Sequence, residues 1–179
     1  MHRVPLLKLL SEYAGRYPDE RETTECFEQF VRQHSTCFER SLLEGHITGA
    51  AWILDRRRER VLLTHHRKLN AWLQPGGHAD GDPDIRAVAA READEETGLP
   101  GLRFLSESIF DLDIHRIPAR GDIPEHLHYD VRFALQATDS EDYVVSDESH
   151  DLAWVPIEDV ESYTTEESIL GMVCKTGQI

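Results

Sequence analysis

The chain has 179 residues, 34 acidic against 19 basic, and a formal net charge of −15. With 40% hydrophobic and 30% charged residues, it is long enough for one domain with a sizeable core and short for two. So acidic a surface opposes non-specific nucleic-acid binding and attachment to anionic membranes, and no apolar run approaches the length of a membrane span.

The opening MHRVPLLKLLSEY does not read as a signal peptide. Its apolar run is short, is broken by Lys8 and is followed by no small-residue cleavage site. Leu6, Leu9, Leu10 and Tyr13 share one face of a helix predicted over 4–15. A turn at 18–20 starts a second helix over 20–42, with Phe27, Phe30, Val31 and His34 on its apolar stripe. Residues 1–44 are therefore expected as a helical segment packed on a domain spanning 45–179. The three cysteines, Cys26, Cys37 and Cys174, are odd in number and lack CxxC spacing, which predicts a reduced, cytoplasmic protein.

Strand signals begin with ITGAAWIL (47–54) and RVLLTHH (60–66), a hairpin or adjacent strands flanking the charged turn DRRRER. The run Arg56, Arg57, Arg58, Arg60 reads as a solvated turn. Trp72 and Leu73 lead through Gln74-Pro75 to a glycine pair, and a helix follows over 83–97. Asp82 is expected as its N-cap, Pro83 at its first position and Asp84 as a first-turn charge. Strands follow over 104–115, 126–137 and 151–157, and IEDVESY and EESILGMVCK read as helices. Strands before and after a central helix predict a mixed sheet covered on both faces.

The stretch GGHADGDPDIRAVAAREADEETGL (76–99) carries the chemistry. Glu92, Glu95 and Glu96 are spaced i, i+3, i+4 and project within a sector of about 100°. Three such anions repel one another unless they are well solvated or neutralised by divalent cations. Gly76 and Gly77 allow backbone to approach a phosphate or a cation closely, and Gly98 is a C′ stop.

This stretch resembles the signature of the Nudix hydrolases, G-x5-E-x7-R-E-U-x-E-E-x-G-U with U a bulky aliphatic residue. Gly77, Arg91, Glu92, Glu95, Glu96, Gly98 and Leu99 match in register; Pro83 and Ala93 depart from it. The resemblance implies an α/β/α sandwich with a mixed central sheet. It implies metal-dependent cleavage, by water attack at phosphorus, of a nucleoside diphosphate linked to another moiety. It further implies Mg²⁺ or Mn²⁺ bound by Glu92, Glu95, Glu96 and the Gly76 carbonyl. Arg91 would orient a glutamate, Glu92 or Glu95 would take the proton from water, and Gly77 and His78 would lie at the diphosphate. Glu125, His126 and His128 are further candidates for the base. A homodimer is compatible with the family. Pro83 puts in question the contacts of the missing glutamate, with Asp82 or Asp84 as shorter substitutes.

Two readings compete with this enzyme. A non-catalytic Nudix-fold nucleotide-binding module would be expected to lose box carboxylates, and all three are present. An isopentenyl diphosphate isomerase-like enzyme needs a catalytic cysteine, and none lies by the box. Ten histidines stand in the chain, and His126 and His128 alternate on one strand face. Without HExxH or CxxC spacing they read as structural or substrate-contacting rather than as a zinc site. Trp52, Trp72 and Tyr129 are candidates both for the core and for stacking on a nucleobase.

Overall fold

Strand β1 (Gly45–Leu54) has no charged residue and is buried along its whole length, the pattern of a strand covered on both faces. The computed structural model describes residues 2–179. Before β1 come helices α1 (Val4–Arg16) and α2 (Arg21–Gln33), with a 3₁₀ turn between them. After it come β2 (Arg60–His66), β3 (Ala71–Leu73), β4 (Gly76–His78), helix α3 (Ile85–Thr97), β5 (Leu102–Phe104), β6 (Asp111–Ile117), β7 (His126–Ala137) and β8 (Ser149–Pro156). A 3₁₀ turn over Ile157–Ser162 and helix α4 (Glu167–Thr176) close the chain.

The eight strands form one mixed sheet. β1 runs parallel to β7 from Gly45↔Leu127 to Leu54↔Gln136. Its other edge is shared by β4, paired Thr48↔His78 to Ala50↔Gly76, and β2, paired Ile53↔Leu62 and Leu54↔Val61. β6 and β5 both pair with β7, and β3 and β8 both with β2. Alternation sorts β1 into two faces. Ile47, Ala51 and Ile53 join a core with Leu6, Leu10, Phe27, Phe30, Val88 and Ala89, under α1, α2 and α3. Trp52 and Leu54 join a second core with Val155, Val160, Ile169 and Met172, under α4 and the 3₁₀ turn. The architecture is the expected sandwich. Among the described residues, no helix is long and apolar enough to cross a membrane.

Several expected boundaries move. α2 stops at Gln33 rather than running to residue 42, because His34 turns extended. Successive turn bonds (Glu39 N–H to Thr36, Leu42 N–H to Glu39) then carry the chain to β1, with Cys37 and Phe38 buried. The expected strand over 104–115 is two strands. The Ser106 hydroxyl accepts from Ser108 N–H at 3.1 Å, a local turn that interrupts the ladder. IEDVESY is a 3₁₀ turn rather than an α-helix. Asp55 accepts from the Glu59 and Arg60 amides and from Arg60 Nε, closing the β1–β2 turn. Arg56, Arg57 and Arg58 are exposed there, as the solvated-turn reading expects, whereas Arg60 is half-buried between Asp55 and Glu141.

One charged network crosses the second core face. Arg132, 2% exposed, donates to Asp130 at 2.7 Å, Asp111 at 2.9 Å and Asp113 at 3.1 Å. Burial opposes the Arg132 charge, but the three carboxylates outweigh it and hold its pKa above the usual guanidinium value. Lys175 of α4 bonds Asp111, and it reaches Glu20 at 2.6 Å and the Tyr13 hydroxyl at 2.7 Å. Removing one member leaves buried charge uncompensated, which typically destabilises by about 3–5 kcal/mol. Arg132→Met is expected to lose that much, read as a fall in the urea midpoint at unchanged slope.

Candidate active site

Helix α3 starts two residues later than its acidic prelude suggests. Asp84, not Asp82, is the N-cap, accepting from Ala87 N–H at 3.1 Å. Asp82 accepts from Asp84 N–H at 2.9 Å, so Pro83 lies in that turn and not at the first helical position. The competing local bond of Asp82 wins because an Asx turn fixes the chain before the helix begins. At the other end Gly98 has φ 60° and donates to Asp94 O at 2.8 Å, a left-handed stop suited to glycine. Between these ends α3 lies close on β1. A Cβ on Gly49 would meet Val88 at 2.9 Å and the Ile85 carbonyl at 3.1 Å. Ala93, where the Nudix pattern has a larger aliphatic, is fully buried.

This close seat aims the α3 carboxylates at β4. Glu96 is 7% exposed. One of its oxygens accepts from Gly76 N–H at 3.0 Å, and the other has no hydrogen-bond partner among the described residues. Burial lifts its pKa from 4.5 to about 7, opposed by the Gly76 bond and reinforced by Glu92, Glu148 and Glu95. Glu92 lies against Gly77 where any Cβ would collide with its carboxylate. Burial raises the Glu92 pKa too, against the pull of Arg91. A single Arg91 nitrogen donates to Glu92 at 2.9 Å and to the His78 carbonyl at 2.9 Å, joining helix to strand. Glu95 is largely exposed, 3.9 Å from Arg91.

The predicted residues therefore gather on one side of β4, except for the His78 ring. Its carbonyl faces Arg91, while its imidazole turns to the opposite sheet face beside His46 and His128. His126 stands in the same group, 5.0 Å from the His46 ring. Glu125 is tied to Arg116 at the surface. Two charged residues that sequence reasoning missed do face the box. Glu148, in the turn before β8, adds to the field that raises Glu92 and Glu96. Arg40 is clamped by both Asp80 oxygens and feels the charges of Glu92 and Glu148. Neither has a local signal, since both come from loops whose course depends on the fold. Of the aromatic candidates, Trp52 is core and donates to Thr176 at 2.9 Å. Tyr129 stacks on Phe30, with ring centres 3.9 Å apart. Trp72 is half-buried, stacked on His65 at 4.9 Å with its ring edge-on to Tyr163.

A family model described as the NUDIX domain matches residues 45–173, and the chain belongs to this family, hydrolases of phosphoric anhydride bonds. Among curated proteins nothing matches. Among solved structures, the chain is similar to an Ap4A hydrolase from C. elegans, seen in a binary complex. The identity is 18% and the TM-score 0.60, over 74% of this chain and 95% of that one. It is similar to a NUDIX-family hydrolase from Clostridium perfringens, with 22% identity, TM-score 0.52 and coverage of 74% and 97%. The NUDIX domain of NrtR from Shewanella oneidensis, complexed with ADP ribose, has 16% identity, TM-score 0.51 and coverage of 84% and 96%. At these identities the likeness is one of fold.

The Glu96 shift has a consequence for stability. The fold holds a proton that the unfolded chain releases above about pH 4.5, so stability falls as pH rises from there through about 7. In chelator at pH 8, Glu96→Gln is expected to stabilise the protein by up to about 3 kcal/mol. The gain vanishes near pH 4, as urea melts at the two pH values will read.

Proposed function

We propose that this chain is a divalent-metal-dependent pyrophosphohydrolase that splits a nucleoside diphosphate linked to a second group, by attack of water at phosphorus. The observation that carries this reading is Glu96, a buried carboxylate with one oxygen on Gly76 N–H and the other unpartnered among the described residues. Burying such a group is costly unless a partner satisfies it, and a divalent cation can satisfy several carboxylates together. Glu92, Glu95, Glu96 and the Gly76 carbonyl would hold Mg²⁺ or Mn²⁺, hard ions that take oxygen ligands. When bound, such an ion draws charge from the diphosphate oxygens and eases deprotonation of water.

The remaining work falls to the chain's own groups. Arg91 fixes Glu92 against the His78 carbonyl, so its role is orientation. Of the carboxylates beside Arg91, Glu92 is taken as the proton acceptor: it is held in place by Arg91 and burial raises its pKa, whereas Glu95 is mostly in water. Glu148 supports that shift from across the site. Gly77 makes room for the Glu92 carboxylate, and Arg40 offers a cation held in place by Asp80. The Ap4A hydrolase and the ADP-ribose-bound domain among the neighbours support a nucleotide-derived substrate.

Glu96→Gln and Glu95→Gln are each expected to slow metal-dependent hydrolysis at least about 100-fold while leaving the far-ultraviolet circular dichroism unchanged. Near-wild-type turnover in both would refute the assignment. Pro83, in place of the first box glutamate, favours a second reading in which the domain binds a nucleotide without cleaving it. A panel of nucleoside triphosphates, ADP-ribose, dinucleoside polyphosphates, NADH and coenzyme A separates the two, assayed with Mg²⁺ and with Mn²⁺ for phosphate freed after phosphatase treatment. Metal-dependent release from one compound is the expected result. Tight binding with no release would favour the module.

A further inference from the structure

β4 is two-sided. Gly77 lies under Glu92 on the α3 side, and the next residue, His78, sends its ring to the other face of the sheet. Register brings two more histidines there. His46 pairs with His128 across β1 and β7, and His78 pairs with Thr48, two residues along β1 from His46. The ring centres are 5.0 Å apart for His46 and His78, 4.8 Å for His46 and His128, and 5.1 Å for His78 and His128.

We propose that His46, His78 and His128 form a metal site separate from the α3 carboxylates, one that takes a borderline transition-metal ion of the Zn²⁺ class. Each ring offers one nitrogen, and the three nitrogens lie within 4.8 Å of one another. His46 is 3% exposed. Neither of its ring nitrogens has a partner in hydrogen-bond geometry among the described residues, with the Leu42 backbone a polar group acting on the ring, and Nε2 of His128 has none. Three buried acceptor or donor positions left open on converging rings are costly as they stand. A cation that takes a lone pair from each ring satisfies one of the two His46 nitrogens and Nε2 of His128.

The protonation state suits a ligand set. Burial, reinforced by the neighbouring histidines, holds His46 down to about 4 and His128 to about 2. The rings are therefore neutral at physiological pH and keep their lone pairs for a metal. Of the nearby groups, Arg40 acts on His46 and His78, Asp80 and Lys68 on His78, His126 on all three and His115 on His128. Imidazole favours zinc, copper and nickel, whereas Mg²⁺ takes oxygen ligands. Tetrahedral Zn²⁺ with Zn–N of about 2.0–2.1 Å needs nitrogens about 3.4 Å apart, so no pair has to close by more than about 1.4 Å. No fourth His, Cys, Asp or Glu joins the set among the described residues, which leaves one position for water. His78 and His128 are only partly buried, so an ion has a way in.

The experiment uses full-length protein made without a polyhistidine tag, stripped with chelator, and titrated with Co²⁺ and then Zn²⁺ in excess Mg²⁺. The expected result is one equivalent of Co²⁺ with the visible absorption of a low-coordinate nitrogen site, displaced by Zn²⁺. Because His46 is deep in the sheet, the more accessible His78→Gln and His128→Gln serve as variants, checked for folding by circular dichroism. Each should weaken Co²⁺ binding by at least about 100-fold, more than the effect typical of an outer-shell group. Glu92→Gln/Glu96→Gln should leave the Co²⁺ spectrum intact. Absence of stoichiometric binding in the wild type, retention of the spectrum in the histidine variants, or its loss in the glutamate double variant would each overturn the proposal.

Discussion

Arg132 has to be paired wherever the chain folds, because an unpaired guanidinium inside a sheet is too costly to keep. Its three carboxylates come from β6 and β7, so the two strands must hold the register that sets Asp111 opposite Arg132 and Asp113 opposite Asp130. Lys175 extends the constraint from Asp111 to Tyr13 and Glu20, which pins both the C-terminal helix and the N-terminal segment to the same strands. Asp130 extends it the other way. It accepts from Thr48 at 2.8 Å and from Gln74 at 3.1 Å, and Gln74 is two residues before the glycine pair. The entry to β4 is thus tied to the network that holds the sheet to its helices.

β4 is only three residues long, yet both polar clusters meet on it. On one side the absence of a Cβ at Gly77 admits the Glu92 carboxylate, and the Gly76 amide meets Glu96. On the other side the His78 ring joins His46 and His128. The His78 carbonyl accepting from Arg91 is the covalent and hydrogen-bonded link between the two. A strand this short can serve both clusters because alternation separates consecutive side chains onto opposite faces while keeping them a few ångströms apart.

The acidic helix and its flanking glycines were legible because their meaning is local. Spacing at i, i+3 and i+4 puts Glu92, Glu95 and Glu96 on one side whatever the helix packs against. The hairpin around Asp55 and the uncharged β1 were legible for the same reason. The errors fell where two local solutions compete. Asp82 and Asp84 are both capable caps, and the choice between them rests on the turn that Pro83 and Asp82 make together. The end of α2 depended on burial of Cys37 and Phe38, which periodicity does not reveal.

By itself the sequence determined the carboxylate helix, its glycine boundaries and the layered class of fold, since these follow from residue spacing and backbone freedom. Only the tertiary structure decided which loops reach the site. Glu148 and Arg40 both act on Glu92, although one precedes β8 and the other follows α2. It also decided that His46 meets His78 and His128, residues 32 and 82 positions away, through strand pairing between segments with no shared motif. Long-range register is a property of the whole sheet, set by which faces can be buried together, and no short window of residues contains it.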